Sequence, residues 1–187
     1  MIFPIKYKAL SQNVFKNKEF QIVPIRYEDR LDIMKWRNEQ IYHLRQSELL
    51  TEESQENYFK NIISKLFTKK RPNQILFSFL KNEKCIGYGG LVHIDWEKKS
   101  AEISFIMATY LEKKYFNHNW KIFLKLIEKP AFEDLNLYKL NTYAFDIRPK
   151  LYIALEDAGY KKEAILENQC LIKNIIIHSK INYEIII

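Results

Sequence analysis

A chain of 187 residues, 47% hydrophobic and 28% charged, is long enough for one domain with a real core and too apolar to stay disordered. Its net charge of +7 suits an anionic ligand, although lysine-rich solvated faces are the simpler account; basic residues cluster only briefly, at 69–71, 98–99 and 113–114, which argues against a dedicated nucleic-acid binder. No apolar run approaches the ~20 residues of a membrane span, and the amino terminus lacks an apolar stretch of signal-peptide length, so a cytoplasmic protein without membrane or nucleic-acid partners is expected.

Residues 1–18 read as an arm or extra strand, and 19–187 as one domain. Phe20–Ile25 is the first strand of that domain, with Pro24 marking an edge or a strand end. A helix begins at Tyr27, with Trp36-Arg37-Asn38 in its last turn or just beyond. Thr51 is a good N-cap for a second helix, whose apolar pairs Tyr58/Phe59, Ile62/Ile63 and Leu66/Phe67 recur at helical period. Gln74–Lys81, a turn at Asn82-Glu83 and Cys85–Ile94 form a hairpin, and a turn around Glu97–Ser100 leads to a third strand from Ala101 to Met107. The helix after it, from about Asn117, is interrupted by Pro130, which predicts a kink or two helices. Lys139–Phe145 is a strand, and Pro149 suits the first position of a helix that ends at Gly159. Two strands close the chain, about Tyr160–Leu166 and Ile175–Tyr183. The order β-α-α-β-β-β-α-β-α-β-β is α+β: a mixed, mainly antiparallel sheet with helices on both faces. Cys85 and Cys170 sit in apolar strand-like settings without metal-ligand spacing, so both read as buried free thiols and no metal site is expected.

The stretch from Ala101 to Trp120 is a strand that feeds a helix through a predicted loop. Such junctions hold phosphorylated ligands on free backbone N–H groups. This loop has no glycine, the residue that normally lets backbone approach phosphate.

Element order and local motifs together resemble the GNAT family of acyl-CoA-dependent N-acyltransferases. The resemblance is greatest to the subgroup with ribosomal-protein N-terminal and amino-sugar N-acetyltransferases. It covers roughly residues 20–183 and rests on Trp36-Arg37-Asn38, Cys85-Ile-Gly-Tyr-Gly-Gly-Leu91, Ala101-Glu-Ile-Ser-Phe105, Ala131–Leu140 and the Leu151–Tyr160 helix ending Gly159-Tyr160. It implies acetyl-CoA as acyl donor, with the pantetheine arm between two splayed strands, Glu102–Met107 and Lys139–Phe145. Backbone contacts would come from Ile106, Met107 and Ala108. The family's pyrophosphate loop, counted back from Ala131-Phe132, falls at Tyr115–Trp120, so Asn117, His118, Asn119 and Trp120 would hold the cofactor. His118 and Trp120 stand at its glycine positions, so either the loop binds with a changed shape or cofactor binding has been lost. The family's usual tyrosine, a proton donor to the departing thiolate, maps to Leu155, leaving Tyr152 one turn earlier as a substitute or a packing residue.

Three residues compete for the role of base. Glu102 is a lone carboxylate in an apolar strand, which suits it to proton removal or else to an ion pair with Arg37 or a lysine. His93 stands beside Asp95 and titrates in a useful range. His178 reads as a core or edge histidine first. No Ser-His-Asp or Cys-His constellation emerges, so direct transfer is expected rather than a covalent intermediate. The acceptor side falls to Trp36, Arg37, Asn38, His43, Arg45 and Gln46, with Arg37 or Arg45 suited to a phosphate or carboxylate; Trp36 as core and the arginines as surface charges is the competing reading. An aromatic and polar set suits a sugar ring, so the expected acceptor is a small amine such as a nucleotide-linked amino sugar, handled by a monomer or homodimer. Protein N-terminal acetylation and a non-catalytic GNAT-like binding module are the alternatives.

Overall fold

The computed structural model describes residues 2–170 and 173–182. The chain enters the sheet through β1 (Phe15–Asn17) and β2 (Phe20–Pro24), an antiparallel pair. α1 (Arg30–Glu39) follows, then α2, which opens as Glu52–Tyr58, widens into a π-helical turn at Phe59–Ile63 and ends with Ser64–Leu66. Thr51 caps α2 as expected, its Oγ1 accepting from the Ser54 N–H while Ser54 Oγ accepts from the Thr51 N–H, so two otherwise unpaired donors are satisfied together.

β3 (Ile75–Lys81) and β4 (Lys84–Asp95) meet at Asn82 and Glu83, whose φ values of 47° and 65° give the twist that a two-residue hairpin needs. β5 (Ser100–Met107) completes the meander. β6 (Lys139–Phe145), β7 (Lys161–Cys170) and β8 (Lys173–Ile181) supply the rest of an eight-stranded sheet in the order β1-β2-β3-β4-β5-β6-β8-β7. The β5–β6 pair is parallel and its other neighbours are antiparallel, so the α+β architecture read from the sequence holds. Tyr183, placed in the last strand, and the side chain of Cys170 lie outside the described residues. Cys85 is buried, and desolvation pushes its thiol up to about 12, so it stays protonated.

α3 (Thr109–Glu128) is longer than its sequence pattern predicts. No glycine or proline stands between Ala108 and Lys129 to stop it, so the helix starts directly after β5. Residues 115–120 are therefore helix, not loop. At Pro130 the helix widens into a π-helical turn, Lys129–Asp134, and the Leu135 N–H bonds back to Pro130 O at 2.9 Å. That widening accommodates the ring where a regular turn would clash with it.

Alternation along β5 sends Phe105 to α3, where it stacks on Phe123 at 4.0 Å and meets Trp120 edge-on at 5.0 Å. It sends Glu102 and Ser104 to the opposite face, towards α1. Beside α3 lies α4 (Pro149–Asp157), tied to it by Lys121 and Asp157 at 3.2 Å.

Candidate active site

β5 and β6 share only three register pairs, Ser100–Lys139, Ala101–Leu140 and Glu102–Asn141. Beyond Glu102 they part, and β6 continues with β8 alone, as far as Phe145 opposite Ile175. The opening is a cleft of ≈ 410 Å³ with Trp120 and Leu151 among its lining on the α3–α4 side, and Arg37, His43 and Arg45 among its lining from α1 and the segment after it.

Backbone direction decides which strand atoms face this cleft. The Ala108 N–H donates to Ile86 O at 2.8 Å, towards β4, and the Met107 C=O accepts from Gln40 Nε2 at 2.9 Å, on the other side. Successive peptides point to opposite sides of a strand, so the N–H groups of Phe105 and Met107 face the cleft while those of Ile106 and Ala108 belong to the β4 ladder. Of the three backbone contacts expected here, Met107 keeps a cleft-facing N–H. The Ala108 N–H is consumed within the sheet, and Ile106 offers its side chain only. Phe105 offers the other cleft-facing N–H.

Glu102 stands at the point of divergence, 8% exposed. One carboxylate oxygen accepts from Arg45 and the other is 3.0 Å from His93 Nδ1. The ion-pair alternative is thus realised with Arg45 rather than Arg37. Val92 to Asp95 is a bulge in β4, and His93 within it has φ 50°. This irregularity turns a surface imidazole back onto Glu102. The Arg45 guanidinium also lies over the Tyr143 ring of β6 at 4.5 Å, so Arg45 holds both diverging strands.

The Trp-Arg-Asn run divides its roles. Trp36 is buried and lines the opposite side of α1 with Lys84 and Cys85, so it packs rather than binds. Arg37 faces the cleft, bonded to Tyr88 Oη at 2.6 Å and Gln46 Oε1 at 2.9 Å. Asn38 donates to Leu50 O and accepts from Leu50 N–H, both at 2.8 Å, and Gln46 Nε2 reaches Asn38 Oδ1 at 3.1 Å. Asn38 and Gln46 therefore fix the loop that carries Arg45. A second cavity of ≈ 410 Å³, lined by Tyr58, Phe59, Leu50 and Tyr88, adjoins the cleft through Arg37, Gln74, Val92 and Ser104.

Other candidates are elsewhere. Inside a helix the N–H groups of residues 117–120 are bonded within the helix and cannot cradle a phosphate. Asn117 and His118 are exposed on the β1–β2 side, with His118 edge-on to Phe20 at 5.7 Å; Asn119 is buried, and Trp120 alone of the four lines the cleft. The Tyr152 hydroxyl donates to Asp146 Oδ1 at 3.0 Å, and its ring stacks on His178 at 5.4 Å. Burial and the Asp146 carboxylate push this phenol well up, which makes it a poor acid, and it is not part of the cleft wall. His178 is fully buried and likewise off the cleft, and desolvation pulls its pKa down. Gln40, Tyr143 and Arg148 emerge only in three dimensions. Arg148 was the most legible of these, as a cation immediately before a helix-opening proline at the carboxyl end of a strand.

Among the described residues no helix is long and apolar enough to cross a membrane. The model of a family described as an acetyltransferase (GNAT) domain matches residues 22–181. No curated protein matches the chain by sequence. The spermidine N-acetyltransferase from Vibrio cholerae, solved with CoA and spermine, superposes with a TM-score of 0.78 at 17% identity, over 91% of this chain and 100% of that one. A dodecameric structure of spermidine N-acetyltransferase from the same organism gives 0.71 at 20% identity, over 88% and 95%. The ribosomal-protein-S5-alanine acetyltransferase from Vibrio fischeri gives 0.73 at 15% identity, over 92% and 98%. The splayed parallel pair, the cleft-facing peptides and the family match converge: this chain belongs to the GNAT acetyltransferase family and is an N-acetyltransferase that acts on an amine with acetyl-CoA as its donor.

Proposed function

We propose that the acceptor is an amine carrying negative charge, of which a nucleotide-linked amino sugar is the best fit. The observation that carries this reading is the charge of the cleft wall. Arg37 and Arg45, with His43 and His93, line its acceptor side, and both oxygens of the Glu102 carboxylate are already engaged. A polycation such as the spermine held by the Vibrio cholerae enzyme would meet net repulsion there, whereas a phosphate-bearing acceptor gains guanidinium partners. The adjoining cavity beside Tyr58 and Tyr88 suits a sugar ring or its apolar substituent.

In this reading the acceptor amine attacks the thioester carbonyl carbon directly. The carbonyl oxygen faces the N–H groups of Phe105 and Met107, which stabilise the charge that develops on it. The C–S bond breaks, and the thiolate departs towards the mouth of the cleft. Glu102 takes the proton lost by the amine. His93, 3.0 Å from that carboxylate and largely exposed, passes it to solvent. Arg45 holds Glu102 in place. Thiol release measured with acetyl-CoA against a UDP-amino sugar, spermidine and short peptides tests the acceptor class. Turnover is expected with the nucleotide-linked sugar; turnover confined to spermidine or to peptides would overturn it.

A further inference from the structure

The mouth of the cleft, outside the carboxyl ends of β5 and β6, is bridged by one ion pair. Arg148 leaves β6 just before Pro149 opens α4, and its guanidinium reaches Glu112 in the first turn of α3. The side chains are only 12% and 18% exposed. Nη1 of Arg148 is 2.9 Å from His43 Nε2, and the guanidinium carbon lies 4.9 Å from the centre of the Phe116 ring. One cation thus joins α3, α4 and the segment after α1 across the single gap between the diverging strands.

An acyl donor whose thioester lies against the peptides of Phe105 and Met107 has to leave its other end through this mouth. Acetyl-CoA carries a diphosphate at that end. α3 is helical from Thr109 onwards, so no glycine loop is present there to receive it. The guanidinium fork fits phosphate oxygens as well as it fits a carboxylate. A diphosphate carries more charge than Glu112 and competes for the same donors.

We propose that Arg148 is the diphosphate-binding residue for the acyl donor, and that Glu112 holds its guanidinium in place until the donor displaces it. The proposal rests on acetyl-CoA as donor. It makes Glu112 an internal competitor, so removing its charge strengthens donor binding, an outcome that lost stability cannot mimic.

Calorimetric titration with CoA, and with pantetheine as a probe lacking the diphosphate, tests this on the full chain. Glu112→Gln is expected to lower the Kd for CoA several-fold and leave the Kd for pantetheine within about 2-fold. Arg148→Ala is expected to raise the Kd for CoA roughly 10- to 100-fold, with Arg148→Lys between it and the parent. CoA affinity that is unchanged or weakened in Glu112→Gln overturns the proposal. So does an equal loss of CoA and pantetheine affinity in Arg148→Ala. Absence of CoA binding to the parent chain would overturn the donor assignment as well, which separates the two failures.

Discussion

The strands β1–β5 and the strands β6–β8 treat their buried polar groups differently. Within the first set and the helices α1 and α2 that pack on it, Gln21 bonds to Glu83, Gln40 to Met107 O, Gln55 to Arg30 O, and Ser78 to Asp29, each at 2.6–2.9 Å. Among the described residues, the buried side-chain atoms without a hydrogen-bond partner are Thr142 Oγ1, Tyr160 Oη and both ring nitrogens of His178, all on or next to the second set. An unpaired buried polar group costs about 1–3 kcal/mol. The first half is thus a satisfied platform, while the second half carries an unspent demand for partners, part of it on the cleft wall at Thr142.

Four measurements break or sharpen that contrast. Phe105→Ala empties the aromatic stack of the platform and is expected to cost about 3–5 kcal/mol in denaturant unfolding; a loss under about 1 kcal/mol would mean the stack contributes little. Glu102→Gln acts at the last residue pair joining the two halves. A fall in kcat of roughly 100-fold or more is expected, with CoA affinity retained, and an unchanged rate and pH profile would place the base elsewhere. Ser78→Ala and Thr142→Val form a matched pair. The first strands one contact of the buried Asp29 and is expected to cost about 1–2 kcal/mol, while the second removes an unpaired hydroxyl and is expected to change stability by less than about 0.5 kcal/mol or to raise it. Equal losses at both positions would erase the distinction between the halves.

The smallest effect is expected at His178. Desolvation holds its folded pKa below the ordinary 6.5, against the opposing pull of Glu156, whose Oε1 is 3.6 Å from Nε2. Lys162 adds to the depression, and Tyr152 stacks on the ring. The folded chain therefore binds fewer protons than the unfolded one just below that value. Stability is full above about pH 6.5, falls as pH drops through the window down to the folded pKa, and levels off beneath it. His178→Phe is expected to flatten this part of the curve, measured as urea midpoints between pH 7.5 and 5.5. An unaltered slope would show that another group carries it.

Much of the architecture could be read from local pattern. Alternation in Ile103, Phe105 and Met107, the Asn82-Glu83 turn and the Thr51 cap are short-range signals, and each produced the element it predicts. The start of α3 could not be read the same way, because residues 109–116 expose most of their side chains and show no apolar period until Phe116. Counting back from Ala131 supplied a loop where the chain had no residue to end a helix. Glu102 was visible as a lone carboxylate. Its two partners were not, since His93 reaches it only through a bulge and Arg45 only after Asn38 has fixed Leu50. Contacts of that kind depend on backbone departures that have no periodic signature.

Tyr7 carries a last consequence. Its hydroxyl donates to Leu76 O at 3.0 Å and accepts from Leu76 N–H at 3.1 Å, and its ring stacks on Phe67 at 4.0 Å. β2 ends at Pro24, opposite Phe77; Leu76 O also accepts from the Ile25 N–H at 2.9 Å, so the Leu76 N–H is the group that would otherwise go unpaired just where the neighbouring strand runs out. One phenolic oxygen closes that gap in place of another strand. Detaching the amino-terminal arm would reopen it as a sticky seam, a place for a second chain to add itself edge to edge. The arm thereby protects solubility as well as packing, and its loss would register first as self-association in concentrated solution.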